Sequence, residues 1–341
     1  MADRLLAPAG PTAFVAEASS PKVDLRPLTT SELIDSGFSL YRAHFAGFLL
    51  LALLCQSAPL LNQVLVTAFN LNPSQSDLLQ TPQGALTKLA IIGVMGFVSH
   101  LIVFGFEIVM TFYIADAYLG KNPSVSESLR KLGLCVASSF WTALLSMILI
   151  GLTLLFPIIA LAAPYAYLYY YPPTDWLPLL LLGLATLLLF ILAMIPVLVV
   201  FMRLMVVVPA LALEGLSGWK AVFRSSELVR YDPGKGIFYW GEMRLSFLLL
   251  PLFIIELLIL SLTSLPLIIF QFGEAIRHGG AGQMAMPPDS TVILSQILTF
   301  LAISLILPLY PIATTVFYYD IRIRREGYDL EVMADQLGEK A

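Results

Sequence analysis

Long apolar runs alternate with short polar segments along the chain. Six of the runs are long enough to cross a bilayer, because a spanning helix needs about 20 apolar residues. Their approximate bounds are 46–69, 86–118, 136–165, 177–213, 245–272 and 291–319. The pattern predicts an all-α polytopic membrane protein with six transmembrane helices. The fourth run is longer than the bilayer requires, so it should bend at Pro196 or leave the membrane near Arg203.

Three shorter segments are amphipathic at the helical period. They cover approximately residues 30–45, 124–135 and 217–231. In the third, Trp219 and Phe223 share one face, whereas Lys220 and Arg224 lie on another. This pattern is typical of a helix that lies flat on a membrane surface. The sequence therefore predicts three surface helices.

The first surface helix has the strongest pattern of the three. Thr29 and Glu32 have the spacing of a capping box at its start. An apolar stripe follows, formed by Ile34, Phe38, Tyr41 and Phe45. We expect the face of Phe38 to contact acyl chains or the bundle, and Ser39 to face water.

The three surface helices begin at similar intervals. Their starts lie near residues 30, 124 and 218, a spacing of about 94, and each precedes two spanning helices. This order favours a threefold internal repeat, each unit being a surface helix plus a transmembrane hairpin.

Composition and charge agree with a membrane protein and predict its orientation. Apolar residues make up 58% and charged residues 12% of the chain, whereas soluble domains carry roughly 25% charged residues. All Lys and Arg except Lys88 and Arg277 fall on the side of the surface helices. The positive-inside rule then places both termini in the cytoplasm. The predicted division is a disordered cytoplasmic tail (1–26), a transmembrane domain (27–319) and a second cytoplasmic tail (320–341).

Four ionisable side chains fall within the predicted spanning helices: His100, Glu107, Arg203 and Glu256. Such groups are costly in a bilayer and should face the protein interior. They could form a pathway for a proton, an ion or a headgroup, or they could be hydrogen-bonded pairs that lock the bundle, which we favour. We expect Glu107 and Arg203 to pair, because the two can reach similar depths.

Two polar groups flank the membrane on the basic side. The third surface helix could contact anionic lipid headgroups, or it could be an ordinary interfacial helix; its candidate residues are Trp219, Lys220, Arg224 and Arg230. The segment that follows the last spanning helix alternates in charge through Asp320, Arg322, Arg324, Glu326 and Asp329. It could bind a cytoplasmic partner, or pair with residues 214–230 and close the inner face of the bundle, which we favour.

Three segments resemble one known family. They are Arg26-Pro27-Leu28 with the residues up to 35, the stretch 209–215 with Arg224-Ser225, and the exit segment, residues 318–330. Together they resemble the membrane domain that is sometimes fused to bacterial glycerophosphoryl diester phosphodiesterases and more often stands alone. The resemblance implies a bacterial inner-membrane protein, and it supplies no catalytic residues.

The residues themselves do not indicate an enzyme. His44, His100 and His278 stand far apart with no acidic cluster beside them, whereas metal-dependent phosphodiester chemistry needs clustered carboxylates and usually His. We expect no metal, no cofactor and no nucleic-acid partner. The favoured function is a non-enzymatic scaffold or membrane-complex subunit that contacts lipid and other membrane proteins. The alternative is a transporter or lipid-handling protein with a polar cavity between the repeats, and an intramembrane enzyme comes third.

Overall fold

The structure, a computed structural model, describes residues 26–69, 71, 82–170, 176–230, 234, 236, 240–277 and 287–330. The predicted tail at 1–26, apart from its last residue, and residues 331–341 of the second predicted tail lie outside these ranges. Of the described residues, 89% are helical and none forms a strand. The helices are α1 (Thr30–Ala43), α2 (Phe45–Ala68), α3 (Pro82–Tyr118), α4 (Val125–Tyr170), α5 (Trp176–Leu204), α6 (Val207–Glu214), α7 (Trp219–Val229), α8 (Gly241–Thr263), α9 (Leu265–Arg277), α10 (Asp289–Ile306) and α11 (Leu309–Glu326).

Six helical stretches of the described chain are long and apolar enough to cross a membrane. They are α2, α3, α4, α5 continued by α6, α8, and α10 continued by α11. The prediction of an all-α polytopic membrane protein with six spanning helices is therefore confirmed. The internal repeat stays a prediction.

The predicted capping box begins α1. The Thr29 hydroxyl accepts a hydrogen bond from the Glu32 amide, and the Glu32 carboxylate accepts one from the Thr29 amide. That backbone hydrogen bond, together with the Arg26 guanidinium, lowers the pKa of Glu32 to about 2. A carboxylate at this position also stabilises the positive end of the helix.

Helix α1 packs against α11 through the buried residues Leu33 and Gly37. Two residues of the predicted apolar stripe, Ile34 and Tyr41, pack against the same core, whereas Phe38 is 38% exposed. A side chain at position 37 would begin 3.3 Å from Ile312, so the glycine permits this close approach. Contact of Phe38 with acyl chains stays a prediction.

Helix α4 contains the predicted change of direction. The surface segment and the third spanning helix form one continuous element, Val125–Tyr170. Cys135 interrupts it with non-helical backbone angles, φ −119° and ψ 17°. The kink coincides with the predicted boundary between residues 135 and 136.

The long fourth run breaks near Arg203, at the second of its two predicted positions. Helix α5 contains Pro196 and ends at Leu204, and α6 starts again at Val207. Pro209 lies in the first turn of α6. A backbone N–H at this position would have no acceptor within the helix, so the proline costs no helical hydrogen bond. Two residues between the helices therefore suffice to redirect the chain.

Two further spanning runs end earlier or later than predicted. Helix α8 ends at Thr263 rather than near 272, because Pro266 in the first turn of α9 cannot continue the helix. Pro308 separates α10 from α11 in the same way. Helix α11 then continues to Glu326, past the predicted end of the sixth spanning run at residue 319. The predicted tail boundary at residue 320 stays a prediction. Ion pairs with residues 214–230 hold this last part of α11.

The spanning helices contact their neighbours in the order α5, α4, α3, α2, α10 and α8. The two ends of this order, α5 and α8, also contact each other, but through fewer residues. In that contact Arg203 pairs with Glu242, and the Ser246 hydroxyl donates to Met202 Sδ.

One half of the bundle is much better packed than the other. Helices α1, α6 and α7 and the C-terminal part of α11 lie together at one end, which we call the basic end. The buried residues of α2 lie between Phe48 and Cys55, close to that end, and α5 has no buried residue before Leu204. We call the opposite half the far half. It is the loosely packed part of the molecule.

Candidate functional site

A buried ionic network joins three distant parts of the chain at the basic end. The Asp320 side chain is fully buried and pairs with Arg244 at 2.9 Å and Arg324 at 2.9 Å. The Leu28 amide donates to the same carboxylate at 2.7 Å. Both arginines in turn donate to the Leu28 carbonyl oxygen, at 3.0 and 2.5 Å. Every charge in this network has a partner, as burial requires.

A second network connects the exit segment to the third surface helix. Arg224 pairs with Glu214 at 2.8 Å and with Glu326 at 2.5 Å. Arg325 pairs with Glu227 at 2.6 Å. The structure therefore shows the exit segment paired with residues 214–230, which is the arrangement that the charge pattern favoured.

The remaining exit residues are placed as follows. Arg322 pairs with Glu326 at 3.0 Å and lies 4.3 Å from the ring centre of Tyr328. The Tyr318 hydroxyl donates to Glu214 at 2.9 Å. Asp329 makes no ion pair with any residue that the structure describes. Most of the alternating charges thus serve the closure of the basic end.

The residues predicted to contact lipid headgroups fall into two groups. Arg224 is paired with Glu214 and Glu326, and its contact with lipid headgroups stays a prediction. Trp219, Lys220 and Arg230 are exposed, and the two cations have no ion pair within the described part of the chain. These three residues remain candidates for contact with a membrane surface.

The predicted pair between Glu107 and Arg203 is absent from the described structure. Arg203 instead pairs with Glu242 at 3.1 Å. Helix α8 begins at Gly241, four residues before the apolar run that predicted it, and this places Glu242 in the first turn beside Arg203. The predicted partner of Arg203 was wrong because α8 begins earlier than its apolar run indicates.

Glu256 has the structural role that the sequence analysis favoured. Its carboxylate accepts a hydrogen bond from the Tyr310 hydroxyl at 2.6 Å, which links α8 to α11. Tyr310 gave no signal in the sequence, because an aromatic residue in an apolar run is ordinary.

Glu107 lies on the inward face of α3 without a partner. Thr111 and Ile114 follow it at helical spacing on the same face, and both are fully buried. Among the described residues, none donates a hydrogen bond to the Glu107 carboxylate or forms an ion pair with it. As a whole residue, Glu107 is half-buried, at the level where close packing gives way to the far half. This is the arrangement expected of a group that meets a ligand.

Two more polar atoms without partners lie beyond Glu107 in the far half. His100 precedes Glu107 by two helical turns on the same face, and its Nε2 atom is buried without a hydrogen bond from the described residues. The same holds for Asn62 Oδ1 on α2. Phe48 and Tyr113 make an edge-to-face contact between α2 and α3. Asn62 lies about 21 Å and His100 about 20 Å along the helices from that contact. The two polar atoms are therefore at one level.

An apolar groove on the bundle surface is separate from these residues. It has a volume of about 520 Å³, lies between α3 and α4, and is lined by residues that include Val94, Phe97, Met147 and Ile148. Its lining carries no ionisable side chain, so it offers a place for an acyl chain. No group of His, Cys, Asp and Glu in the described ranges could hold a metal ion.

These observations define the protein as a polytopic α-helical membrane protein. It has an ionically closed basic end and an unpaired carboxylate at the edge of a loosely packed half. No known protein family, curated protein or solved structure matches the chain. The resemblance to the membrane domain of bacterial glycerophosphoryl diester phosphodiesterases therefore stays a prediction.

Proposed function

We propose that the protein is a non-enzymatic transporter or lipid-handling protein that accepts an amphipathic ligand between its spanning helices. The observation that carries this proposal is the unpaired carboxylate of Glu107 on the inward face of α3. Glu256, the other carboxylate in the middle of a spanning helix, is hydrogen-bonded. An ionisable group inside a membrane is costly, and one without a protein partner indicates a ligand site.

The packing supplies a route for such a ligand. The far half is loosely packed, and α5 and α8 contact each other near the basic end, through Arg203 with Glu242 and Met202 with Ser246. The networks around Asp320 and Arg224 close the basic end. An amphipathic molecule would therefore enter from the bilayer or from the far end.

Native mass spectrometry of the purified protein tests this function. With membrane lipids present during purification, we expect one amphipathic molecule to remain bound to each wild-type chain and to be lost from Glu107→Gln. The matched control is Glu256→Gln, which makes the same chemical change in a hydrogen-bonded carboxylate. Equal retention by wild type and Glu107→Gln would contradict a ligand site at Glu107.

The scaffold function remains a second candidate, supported by α5. None of the residues in its most apolar window is buried within the chain. A partner membrane protein could cover that face, although lipid would satisfy it equally well. Recovery of a stoichiometric partner in mild detergent, and its loss when exposed α5 residues such as Leu188 are replaced by Trp, would favour this function.

We further propose that the basic end faces the cytoplasm of a bacterial inner membrane, as the charge distribution predicts. In intact cells, an impermeant thiol reagent should label Arg277→Cys, whose side chain is 75% exposed. It should label the exposed Lys220→Cys only after the membrane is permeabilised. The unsubstituted chain, with its own Cys55 and Cys135, is the control. Labelling of Lys220→Cys in intact cells would reverse the orientation.

A further inference from the structure

We infer that the ligand site on α3 takes an amphipath with a protonated amine, such as an alkylammonium or the amino headgroup of a lipid. This inference rests on the proposed ligand-binding function and names the chemical class of the ligand. We infer this class from two features: polar side chains that face the far half without partners, and the apolar surface around them.

Three of the unpartnered groups can accept hydrogen bonds. An ionised Glu107 carboxylate is an acceptor only, Asn62 Oδ1 is an acceptor, and a neutral His100 with its proton on Nδ1 accepts at Nε2. A ligand that satisfies them must therefore bring donors. An ammonium group carries three N–H donors and a charge opposite to that of Glu107, so it fits better than an alcohol, a phosphate or a carboxylate.

The placement of these atoms suggests two successive positions for the headgroup. Asn62 and His100 lie at one level in the far half, and Glu107 lies about 10 Å further towards the basic end. A cation arriving from the far half would meet the neutral acceptors first and the carboxylate last. Beyond Glu107 the inward face of α3 is closed by the buried residues Thr111 and Ile114, so Glu107 marks the deepest position.

An inorganic cation fits these residues less well. Hard cations take about six oxygen ligands, and the described residues provide no cluster of carboxylates or imidazoles that could hold one. The surroundings also favour a ligand with an apolar tail. Next to Asn62 and His100, α2 and α3 expose Leu61, Val98 and Ile102, and an alkyl chain there would stay in contact with apolar surface and lipid.

A matched series of probes tests the ligand class. Protein in zwitterionic nanodiscs is titrated with radiolabelled dodecylamine, dodecanol or dodecyl sulfate, and binding to empty nanodiscs is subtracted. We expect saturable binding of dodecylamine at about one equivalent per chain. Glu107→Gln should weaken it about tenfold or more, because a charge-assisted hydrogen bond is lost. Glu256→Gln, the matched control, should bind dodecylamine as the wild type does.

The outcomes test the amine class of the ligand separately from the proposed ligand-binding function. If dodecanol or dodecyl sulfate binds as tightly as dodecylamine and depends equally on Glu107, a ligand site exists but the amine is not its class. If none of the three probes binds saturably, the proposed function fails as well. Dodecylamine binding that survives Glu107→Gln unchanged would overturn the placement of the ammonium at Glu107.

Discussion

Asp320→Asn is expected to lower the free energy of unfolding by about 3–5 kcal/mol, because it removes the carboxylate from a buried ionic network. Arg244, which is 6% exposed, would keep its charge in the interior without the opposite charge. The Leu28 amide and Arg324 would lose the same acceptor. Unfolding in mixed micelles with increasing SDS measures the change.

Asp35→Asn is the matched control for this variant. Asp35 lies on the exposed side of α1, so the same substitution there should change stability by no more than about 0.5 kcal/mol. The double variant Asp320→Asn with Arg244→Gln should lose less than the sum of the two single losses, since the two side chains are partners. Equal stability of the two Asp variants would show that the Asp320 network contributes nothing to the fold.

Gly241→Ala is expected to destabilise the protein by about 1–3 kcal/mol or more, because α7 and α8 meet at this glycine. A Cβ at Gly241 would lie 3.1 Å from the carbonyl carbon of Val229 and closer still to its oxygen. Backbone atoms cannot rotate away as a side chain can, so α8 would have to move. That shift would also displace Glu242 and Arg244 from their partners. Thermal unfolding in detergent, followed by tryptophan fluorescence, measures the loss.

Gly183→Ala serves as the control for the glycine. It lies within α5, and a Cβ there would meet no atom within 4 Å. Alanine is the better helix former, so this variant should be as stable as the wild type or more stable by up to about 1 kcal/mol. A Gly241→Ala protein that unfolds at the same temperature as Gly183→Ala would contradict the close contact between α7 and α8.

The six spanning helices were predictable because hydropathy acts over whole runs and does not depend on the partner of any residue. The helix breaks were predictable only in part. Pro196 lies within α5 without ending it, whereas Pro266 and Pro308 fall where one helix gives way to the next. A proline alone does not decide between a bend and a break, because neighbouring contacts determine whether the chain turns there.

The side-chain partners were harder to predict than the helices. The pairing of the exit segment with residues 214–230 followed from complementary charge, but Arg244 and the Leu28 backbone were missed as partners of Asp320. Those contacts depend on how three distant segments meet. The role of Gly37 in α1 was missed for a similar reason: it contributes no hydrophobicity, yet its small size permits the close approach to α11.

The network around Asp320 has a consequence for how the protein is made. The hydrogen bond from Leu28 to Asp320 joins residues 292 positions apart. During synthesis the N-terminal part of the chain emerges and inserts first. Leu28 and Arg244 can therefore contact the Asp320 carboxylate only after the sixth spanning helix has been made. Closure of the basic end therefore follows synthesis of the five spanning helices that precede Asp320, and a chain that stops before Asp320 would insert those helices without forming this network.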